Sequence, residues 1–481
     1  MPTVQTASRY THARRTAAGG MMNARSIEQA CFWLAGRRRD PEPPLEGRQE
    51  ADIAIIGGGF TGLWTANFIK AIDPARRVVV IEREIAAYGA SGRNAGVVVE
   101  WLHHSHGLAV RHFGREGARA LAALGTENLE NFLRFIADHG IDCDLERNGQ
   151  LHVALTPDQV DELRESQERS VGLGVTHLRW LDGDAARSEV RCDRYRAALY
   201  NPHWGMLNPV KLVEGLKREA ARRGVVFFEG TRVDGIEDAG PGARVRTAGG
   251  EVAARTAVLA TNAYTHTILH RLASRFIPLY DYILVSDPVT PAQRAAVGWV
   301  RRQTVSDART FFKYYRLTAD DRILFGTSEA AYYRGNRVDA GCDHSERHYR
   351  DLRASVARHF PALRDLGFPY AWGGPICSTL RFIPFFGKAR RGRIVYGLGY
   401  TGQGVASSHF AGQVLAHMAL GRPSPLLDLP LVRQRPFPCP GEPIRSLAIA
   451  AVTRGLRRVD AGGRPGPFLR LLDAMGIGLS S

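Results

Sequence analysis

One stretch of the sequence predicts the fold of this chain: Ile53-Ala54-Ile55-Ile56-Gly57-Gly58-Gly59-Phe60-Thr61-Gly62. An apolar strand runs directly into a G-x-G-x-x-G turn, and the helical stretch Leu63–Ala71 follows. In such a turn the first glycine allows the tight bend, the second lets the backbone approach a pyrophosphate, and the third lets helix and strand pack closely. The pattern therefore predicts a nucleotide-binding turn that opens a βαβ unit, with a purely structural glycine turn as the alternative.

The residues that follow complete the unit. Phe60 and Thr61 lie at the start of the helix, where free N–H groups hold phosphate charge. A second apolar strand, Val78–Ile81, ends at Glu82, which lies 20 residues after Gly62. A carboxylate at this position can accept hydrogen bonds from both ribose hydroxyls.

Two further glycine-rich loops favour a flavin dinucleotide. The first, Ala90–Gly96, suits a backbone lying against flavin phosphates or the ring, and a surface turn is the alternative. The second, Gly397–Gly404, opens another helix whose N-terminal dipole can face the partial negative charge of a reduced flavin.

Composition excludes several classes of protein. The 481 residues carry a net charge of +16, but only five of the 64 basic residues are Lys and the longest basic block is Arg37–Arg39. This spread-out, Arg-rich charge is typical of a GC-rich genome and lacks the blocks of a nucleic-acid-binding surface. No apolar run approaches the ~20 residues that span a bilayer. The six scattered cysteines suit a reducing cytoplasm, where we expect the protein to reside.

Five segments carry a resemblance to a known family. GGGFTGLWTA, the acid-ended second strand, GASGRNAG, LATNAYT and GLGYTGQGV together resemble the D-amino-acid-oxidase-like FAD-dependent oxidoreductases. Within that family, TNAYTHTIL, DYILVSDP and KYYRLTADDRILFG are most similar to the γ-glutamylputrescine oxidases. The tail that begins PLVRQRPFPCPG also resembles a subgroup described as aminophosphonate oxidoreductases.

The resemblance implies an α/β (α+β) fold, in which a Rossmann-like FAD-binding domain is interleaved with an antiparallel-sheet substrate domain. It implies that residues 26–115, 198–272 and 373–425 form the FAD-binding domain, and that residues 116–197 and 273–372 form the substrate domain. Residues 1–25 are expected to be a disordered tail and residues 426–481 a C-terminal extension.

FAD contacts carry over from the family onto matching positions of this chain. The predicted FAD-binding residues are Gly57, Gly59, Phe60, Thr61, Gly62, Glu82, Arg83, Ser91, Gly92, Asn94, Ala95, Gly96, Val233, Thr261, Gly399, Gly402, Gln403 and Gly404. Attachment is expected to be non-covalent. Cys377 is similar to a cysteine that holds flavin covalently in sarcosine oxidase, but its spacing to Pro384 is one residue off.

The resemblance also implies oxidation of a C–N bond to an imine that water hydrolyses to an aldehyde, with hydrogen peroxide formed or another acceptor reduced. Amino-acid oxidases of the family carry a carboxylate-binding Arg before the last FAD strand, whereas Trp372–Thr379 contains none. A primary or secondary amine of the γ-glutamyl-polyamine or aminophosphonate type is therefore favoured over a plain α-amino acid. Its distal acid is expected to meet Arg316 or Arg381.

Aromatic residues suggest the rest of the substrate pocket. Tyr282, Tyr315 and Trp372 are the predicted pocket residues, and an aromatic core of the substrate sheet is the alternative. Lys313 is either a solvated lysine or, as in sarcosine oxidase, a residue near the flavin. His103, His104 and His106 lack a matching acid or cysteine pattern, so no metal is expected, and their loop is expected to pack at the flavin edge.

Two competing functions stay open at this point. The basic chain could be a flavin-dependent RNA-modifying protein, or a catalytically silent FAD-binding protein. The expected partners are a small amine and oxygen or another electron acceptor, without nucleic acid or membrane.

Overall fold

A computed structural model describes residues 25–37 and 40–479. Residues 1–24 of the predicted tail at residues 1–25, and Arg38 and Arg39 of the Arg37–Arg39 run, lie outside these described residues. The strands are β1 (Gly47–Ile56), β2 (Val78–Ile81), β3 (Val97–Val98), β4 (Gln150–Ala154), β5 (Arg179–Asp182), β6 (Ala197–Asn201), β7 (Gly205–Met206), β8 (Val226–Phe228), β9 (Val233–Ala239), β10 (Gly242–Thr247), β11 (Gly250–Leu259), β12 (Ile277–Pro288), β13 (Thr304–Asp307), β14 (Lys313–Leu317), β15 (Arg322–Tyr332), β16 (Tyr370–Ser378), β17 (Phe385–Ala389) and β18 (Ile394–Leu398).

Helices alternate with these strands in the first half of the chain, and only helices follow the last strand, β18. They are α1 (Ile27–Ala30), α2 (Phe60–Ile72), α3 (Ala90–Arg93), α4 (His106–Asp138), α5 (Pro157–Gly172), α6 (Gly183–Glu189), α7 (Pro209–Arg222), α8 (Pro291–Val297), α9 (Glu346–His359), α10 (Gly404–Leu420), α11 (Pro430–Arg433), α12 (Ile444–Asp460) and α13 (Pro467–Ala474). Among the helices that the structure describes, none is long and apolar enough to cross a membrane.

The first sheet is the predicted Rossmann-like core. Its strand order is β17-β18-β11-β1-β2-β8, and the five strands from β18 to β8 run parallel. Strand β1 ends in four buried residues, Ile53–Ile56, because a parallel sheet is covered on both faces. Helices α2 and α10 cross closely on one face, where a Cβ on Gly412 would lie 2.5 Å from the Cβ of Trp64.

The second sheet is the predicted substrate sheet, in the order β16-β12-β15-β14-β13-β4-β6-β5. Its pairs are antiparallel except β13 with β4, which run parallel. The predicted fold class is confirmed. The finer domain segments stay a prediction, and two of their boundaries, at 197/198 and 372/373, fall inside strands β6 and β16.

The C-terminal extension packs against the rest of the chain. The Asp460 carboxylate at the end of α12 accepts the backbone N–H groups of Thr310 (2.8 Å) and Phe311 (2.9 Å). Asp473 on α13 pairs with Arg111 of α4. The first contact holds α12 beside the segment between β13 and β14, and the second holds α13 beside α4.

Candidate functional site

A cavity of about 2200 Å³ is lined by both sheets and by the C-terminal helices. Drug-sized ligand pockets are typically 300–1,000 Å³, so this space is large enough for a dinucleotide together with a small substrate. The glycine turn after β1 lines it, and so do residues of β12, β14 and α12.

The glycine turn has the geometry that its sequence predicts. Gly57 has a φ of +110°, and a Cβ there would lie 2.8 Å from the carbonyl oxygen of Ala260. A Cβ on Gly59 would lie 2.8 Å from Ser91 Oγ, so this glycine leaves the space beside the helix start free. A Cβ on Gly62 would lie 2.0 Å from the Gly57 carbonyl oxygen, which is the close helix–strand contact expected of the third glycine.

Glu82 lies at the end of β2 and faces the cavity. Its Oε2 accepts the backbone N–H of Gly58 at 2.8 Å, and its Oε1 accepts that of Glu84 at 3.1 Å. A carboxylate has about four acceptor sites, so lone pairs remain for two hydroxyls. Burial raises the pKa of this carboxyl, and the two backbone hydrogen bonds oppose that rise.

Side chains of the loop from Ala90 to Gly96 fix its position through hydrogen bonds and an ion pair. Ser91 Oγ accepts the N–H of Phe60 at 2.8 Å, and Asn94 Oδ1 accepts that of Gly96 at 2.8 Å. Arg93 pairs with Asp343 at 2.8 Å and donates to the Tyr88 carbonyl at 2.7 Å. These contacts tie the loop to the start of α2, to Asp343 and to Tyr88.

The third glycine cluster lies at the start of α10. Gly399 donates to Asn262 Oδ1 at 3.2 Å, and the neighbouring Tyr400 hydroxyl contacts Thr61 Oγ1 at 2.7 Å. Gln403 Oε1 is buried and has no hydrogen-bond partner within the described part of the chain. This cluster therefore presents an unused acceptor to the cavity.

Most of the predicted FAD contacts line the cavity, and their role as contacts stays a prediction. Those in the lining are Gly57, Gly59, Phe60, Thr61, Glu82, Arg83, Ser91, Asn94, Ala95, Val233, Thr261, Gly402, Gln403 and Gly404. Four predicted glycines, Gly62, Gly92, Gly96 and Gly399, lie behind it. They allow close backbone packing instead: a Cβ on Gly92 would lie 2.0 Å from the Ala87 carbonyl oxygen.

The substrate sheet presents one acidic side chain to the cavity. Asp281 on β12 accepts the hydroxyl of Tyr314 on β14 at Oδ2 (2.6 Å) and the N–H of Tyr282 at Oδ1 (2.8 Å). Asp281 and Tyr314 both line the cavity. Burial raises the pKa of Asp281 to about 7, against the opposing effect of these two hydrogen bonds.

The three predicted aromatic pocket residues lie outside the cavity lining, and their role in a substrate pocket stays a prediction. Tyr282 is buried under α9, where its hydroxyl contacts Tyr333 (2.7 Å) and the Cys342 carbonyl (2.9 Å). Tyr315 stacks on Phe325 in the same core. Trp372 donates its Nε1–H to the Arg93 carbonyl oxygen at 2.9 Å. These rings form the core of the sheet, which was the alternative interpretation.

The two predicted distal-acid binders also lie outside the lining. The Arg316 guanidinium is fully buried and donates to the carbonyl oxygens of Ala95 (3.0 Å) and Leu207 (2.8 Å), so it supports the flavin loop from behind. Arg381 lies over the Phe437 ring, with its Cζ 3.8 Å from the ring centroid. Neither guanidinium reaches the cavity lining in this structure, and a substrate contact for either stays a prediction.

Lys313 and His104 both have hydrogen-bond partners within the protein. Lys313 is buried and bonds Thr327 Oγ1 and Asp351 Oδ2, each at 2.8 Å, so it is neither solvated nor in the cavity lining. His104 lines the cavity and lies 3.1 Å from the Thr401 carbonyl oxygen, beside the third glycine cluster. Burial lowers the pKa of His104 to about 4, which keeps it neutral.

The residues present fit a flavin dinucleotide. Gly59 leaves open space at the start of α2, where backbone N–H groups can receive a pyrophosphate. Glu82 retains free lone pairs, and Gln403 offers a buried acceptor without a partner in the described residues.

Comparison with known proteins agrees with this geometry. The family model described as "DAO: FAD dependent oxidoreductase" matches residues 52–418. The chain belongs to this family. The enzyme is thus a DAO-family FAD-dependent oxidoreductase, as its sequence motifs predicted.

Relatives match over most of the DAO-family chain. It is 32% identical to the γ-glutamylputrescine oxidoreductase of Escherichia coli, over 77% of this chain and 84% of that protein. It is 30% identical to the probable oxidoreductase OrdL of Rhizobium meliloti, over 82% of this chain and 88% of that protein. Glycine oxidase from Geobacillus kaustophilus has the same fold, with a TM-score of 0.65 and 21% identity over 80% of this chain and 99% of that one.

Proposed function

We propose that this enzyme oxidises the C–N bond of a primary or secondary amine to an imine, which water hydrolyses to an aldehyde and ammonia or a smaller amine. FAD, when bound, supplies the acceptor for the hydride that leaves the carbon next to nitrogen. The electrons then pass to oxygen, which gives hydrogen peroxide, or to another acceptor. The relation to the γ-glutamylputrescine oxidoreductase supports an amine as the substrate.

The Asp281–Tyr314 pair is the observation that carries the proposal. An amine enters at neutral pH as an ammonium ion, and a carboxylate in the cavity wall attracts it. A carboxyl whose pKa is about 7 can also accept the ammonium proton. The nitrogen lone pair that this exposes assists loss of the hydride from the adjacent carbon.

We infer that Arg445 binds the distal acid of the substrate. It lines the cavity from α12 and is 7% exposed, and it forms no ion pair with a carboxylate of the described residues. Its Nε donates to the Pro440 carbonyl (2.8 Å) and its Nη1 to Asn336 Oδ1 (2.7 Å), and both of these acceptors are neutral. A γ-glutamyl carboxylate or a phosphonate pairs favourably with such a group. Arg445 thus takes the role that the sequence assigned to Arg316 or Arg381.

A product assay tests the function. Purified enzyme is incubated in air with γ-glutamylputrescine or 2-aminoethylphosphonate, and trapped aldehyde and hydrogen peroxide are measured. We expect aldehyde with at least one amine, and a KM at least ten times higher in the Arg445→Gln variant at unchanged flavin content. Aldehyde formation with an unchanged KM in that variant would support amine oxidation and would show that Arg445 does not bind the substrate.

Non-covalent attachment of FAD is part of the proposal. Cys377 lines the cavity but is buried, and burial raises the pKa of its thiol, so little thiolate is present at pH 7. Acid precipitation should leave the yellow colour in the supernatant. Colour retained in the pellet, and lost in Cys377→Ala, would show a covalent bond.

A further inference from the structure

Three side chains from separate segments converge on a point beside the cavity. Glu100 follows β3, His177 precedes β5, and His203 lies in the turn between β6 and β7. We propose that Glu100, His177 and His203 bind a divalent first-row transition metal ion. This proposal is independent of the amine-oxidising function and replaces the sequence-based expectation of no metal.

The donor atoms already face one another. Glu100 Oε1 lies 3.0 Å from His177 Nε2, and Glu100 Oε2 lies 3.3 Å from His203 Nδ1. All three ligand atoms lie within 4.8 Å of one another. Metal–ligand bonds of about 2.0–2.2 Å place two donors up to about 4.4 Å apart, which is close to the spacing of this set. The two imidazole rings stack with their centroids 3.7 Å apart, so they must tilt for both ring planes to meet at an ion.

The charge balance of Glu100 favours a cation at this point. Its side chain is 4% exposed, and among the described residues its ion-pair partners are only the two imidazoles. Burying a carboxylate is costly unless a cation lies beside it, and a divalent ion held between the three side chains would lie directly against Glu100.

Neighbouring groups hold the carboxylate in place. Asn201 Nδ2 donates to Glu100 Oε1 at 2.9 Å, and Thr126 Oγ1 donates to Oε2 at 3.4 Å. Such outer partners orient the ligands of metal sites. Glu100 also lines the cavity, so an ion can enter and keep open coordination positions there. Two imidazoles and one carboxylate with open positions suit Zn²⁺ or Fe²⁺.

The test uses tag-free holoenzyme and Zn²⁺ as the probe. Zn²⁺ is titrated at pH 7.5 in competition with a chromophoric chelator, and thermal unfolding is followed with Zn²⁺ and with EDTA. The variants are His177→Gln, His203→Gln and Glu100→Gln, and the control is His270→Gln, which removes an exposed imidazole. Gln at 177 can still donate to Glu100, so the variant retains the hydrogen bond and loses the ligand. Flavin content and circular dichroism confirm folding.

We expect one Zn²⁺ per chain with a Kd below about 1 µM, and a rise in Tm that follows the Zn²⁺ concentration. Each ligand variant should bind at least tenfold more weakly, a lower bound set by the effect of outer-partner substitutions. The control should match the wild type. Binding weaker than about 100 µM, or unchanged affinity in His177→Gln and His203→Gln, would show a purely hydrogen-bonded cluster and overturn the proposal.

Discussion

The Tyr314 hydroxyl donates a 2.6 Å hydrogen bond to Asp281 Oδ2, and both side chains line the cavity that begins at the nucleotide-binding turn. The two residues come from β12 and β14, which are not adjacent in the sheet because β15 lies between them. The fold therefore places the Asp281 carboxyl in the cavity wall beside the Tyr314 hydroxyl. Asp281 is the proposed proton acceptor for the amine.

Replacing Asp281 should remove proton acceptance and retain the shape of the cavity. We expect Asp281→Asn to lower kcat/KM for the amine by about 10²-fold or more, the usual size of general-base effects. Flavin content should not change, because Asp281 belongs to the substrate sheet. Stopped-flow reduction at pH 7.5 measures the effect, and a loss smaller than threefold would exclude Asp281 as the base.

The pH profile follows from the same carboxyl. Burial raises the pKa of Asp281 to about 7, so the active carboxylate form is lost, and the rate falls, as the pH drops below 7. The Tyr314 hydrogen bond lowers this pKa, so Tyr314→Phe should move the acid limb to higher pH. Tyr315→Phe is the matched control on the opposite face of β14. An acid limb that moves equally in both variants would not be due to Asp281.

Gly59 should be needed for FAD binding. Its φ of −88° is accessible to any residue, so Gly59→Val acts through bulk and not through backbone strain. The new side chain would enter the space beside Ser91 Oγ and displace the pyrophosphate, giving colourless protein. Gly466→Val, at the start of α13 in open space, is the control and should stay yellow. The ratio of absorbance at 450 nm to that at 280 nm decides the matter.

The inner face of α12 should limit the size of the substrate. Ile449 and Val452 line the cavity, whereas Leu447 on the same helix is 68% exposed. Ile449→Trp should fill part of the cavity and raise the KM of the longest amine accepted more than that of the shortest. Leu447→Trp should change neither KM. Equal increases for long and short amines would show that α12 does not contact the substrate.

The ion pair between Arg93 and Asp343 should contribute strongly to stability. The Arg93 side chain is 2% exposed, so Asp343→Ala leaves a buried unpaired charge and should lower the free energy of unfolding by about 3–5 kcal/mol. The exposed Arg353–Glu346 pair is the control, and Glu346→Ala should cost less than about 1 kcal/mol. Urea unfolding measures both. Similar losses in the two variants would contradict the assigned burial.

The nucleotide-binding half could be predicted because its signals are local. The turn from Gly57 to Gly62 needs glycines at fixed spacing, and the strand, helix and distal Glu82 all lie within one continuous stretch. The family and the fold class were predicted from this stretch together with the segments GASGRNAG, LATNAYT and GLGYTGQGV, and both are confirmed.

The substrate half could not be predicted to the same depth. Alternation in a strand shows which residues share a face, but it does not show which face lines the cavity and which is buried in the core. On β12 the sequence favoured Tyr282, whereas Leu279, Asp281 and Ile283 line the cavity and the tyrosine face lies under α9. A lone acid within an apolar strand was the available signal for Asp281. Glu100, His177 and His203 are distant in sequence, so only the fold reveals their proximity.

Anaerobic reduction of the flavin tests directly whether the substrate is an amine with a distant acid or an α-amino acid. The holoenzyme is mixed without oxygen with γ-glutamylputrescine or 2-aminoethylphosphonate, beside glycine, sarcosine and D-alanine, and bleaching at 450 nm is followed. We expect rapid bleaching with an amine whose acid lies far from the reacting carbon, and slow or no bleaching with the three α-amino acids. Rapid bleaching by glycine, sarcosine or D-alanine, with none by the distal-acid amines, would contradict this expectation.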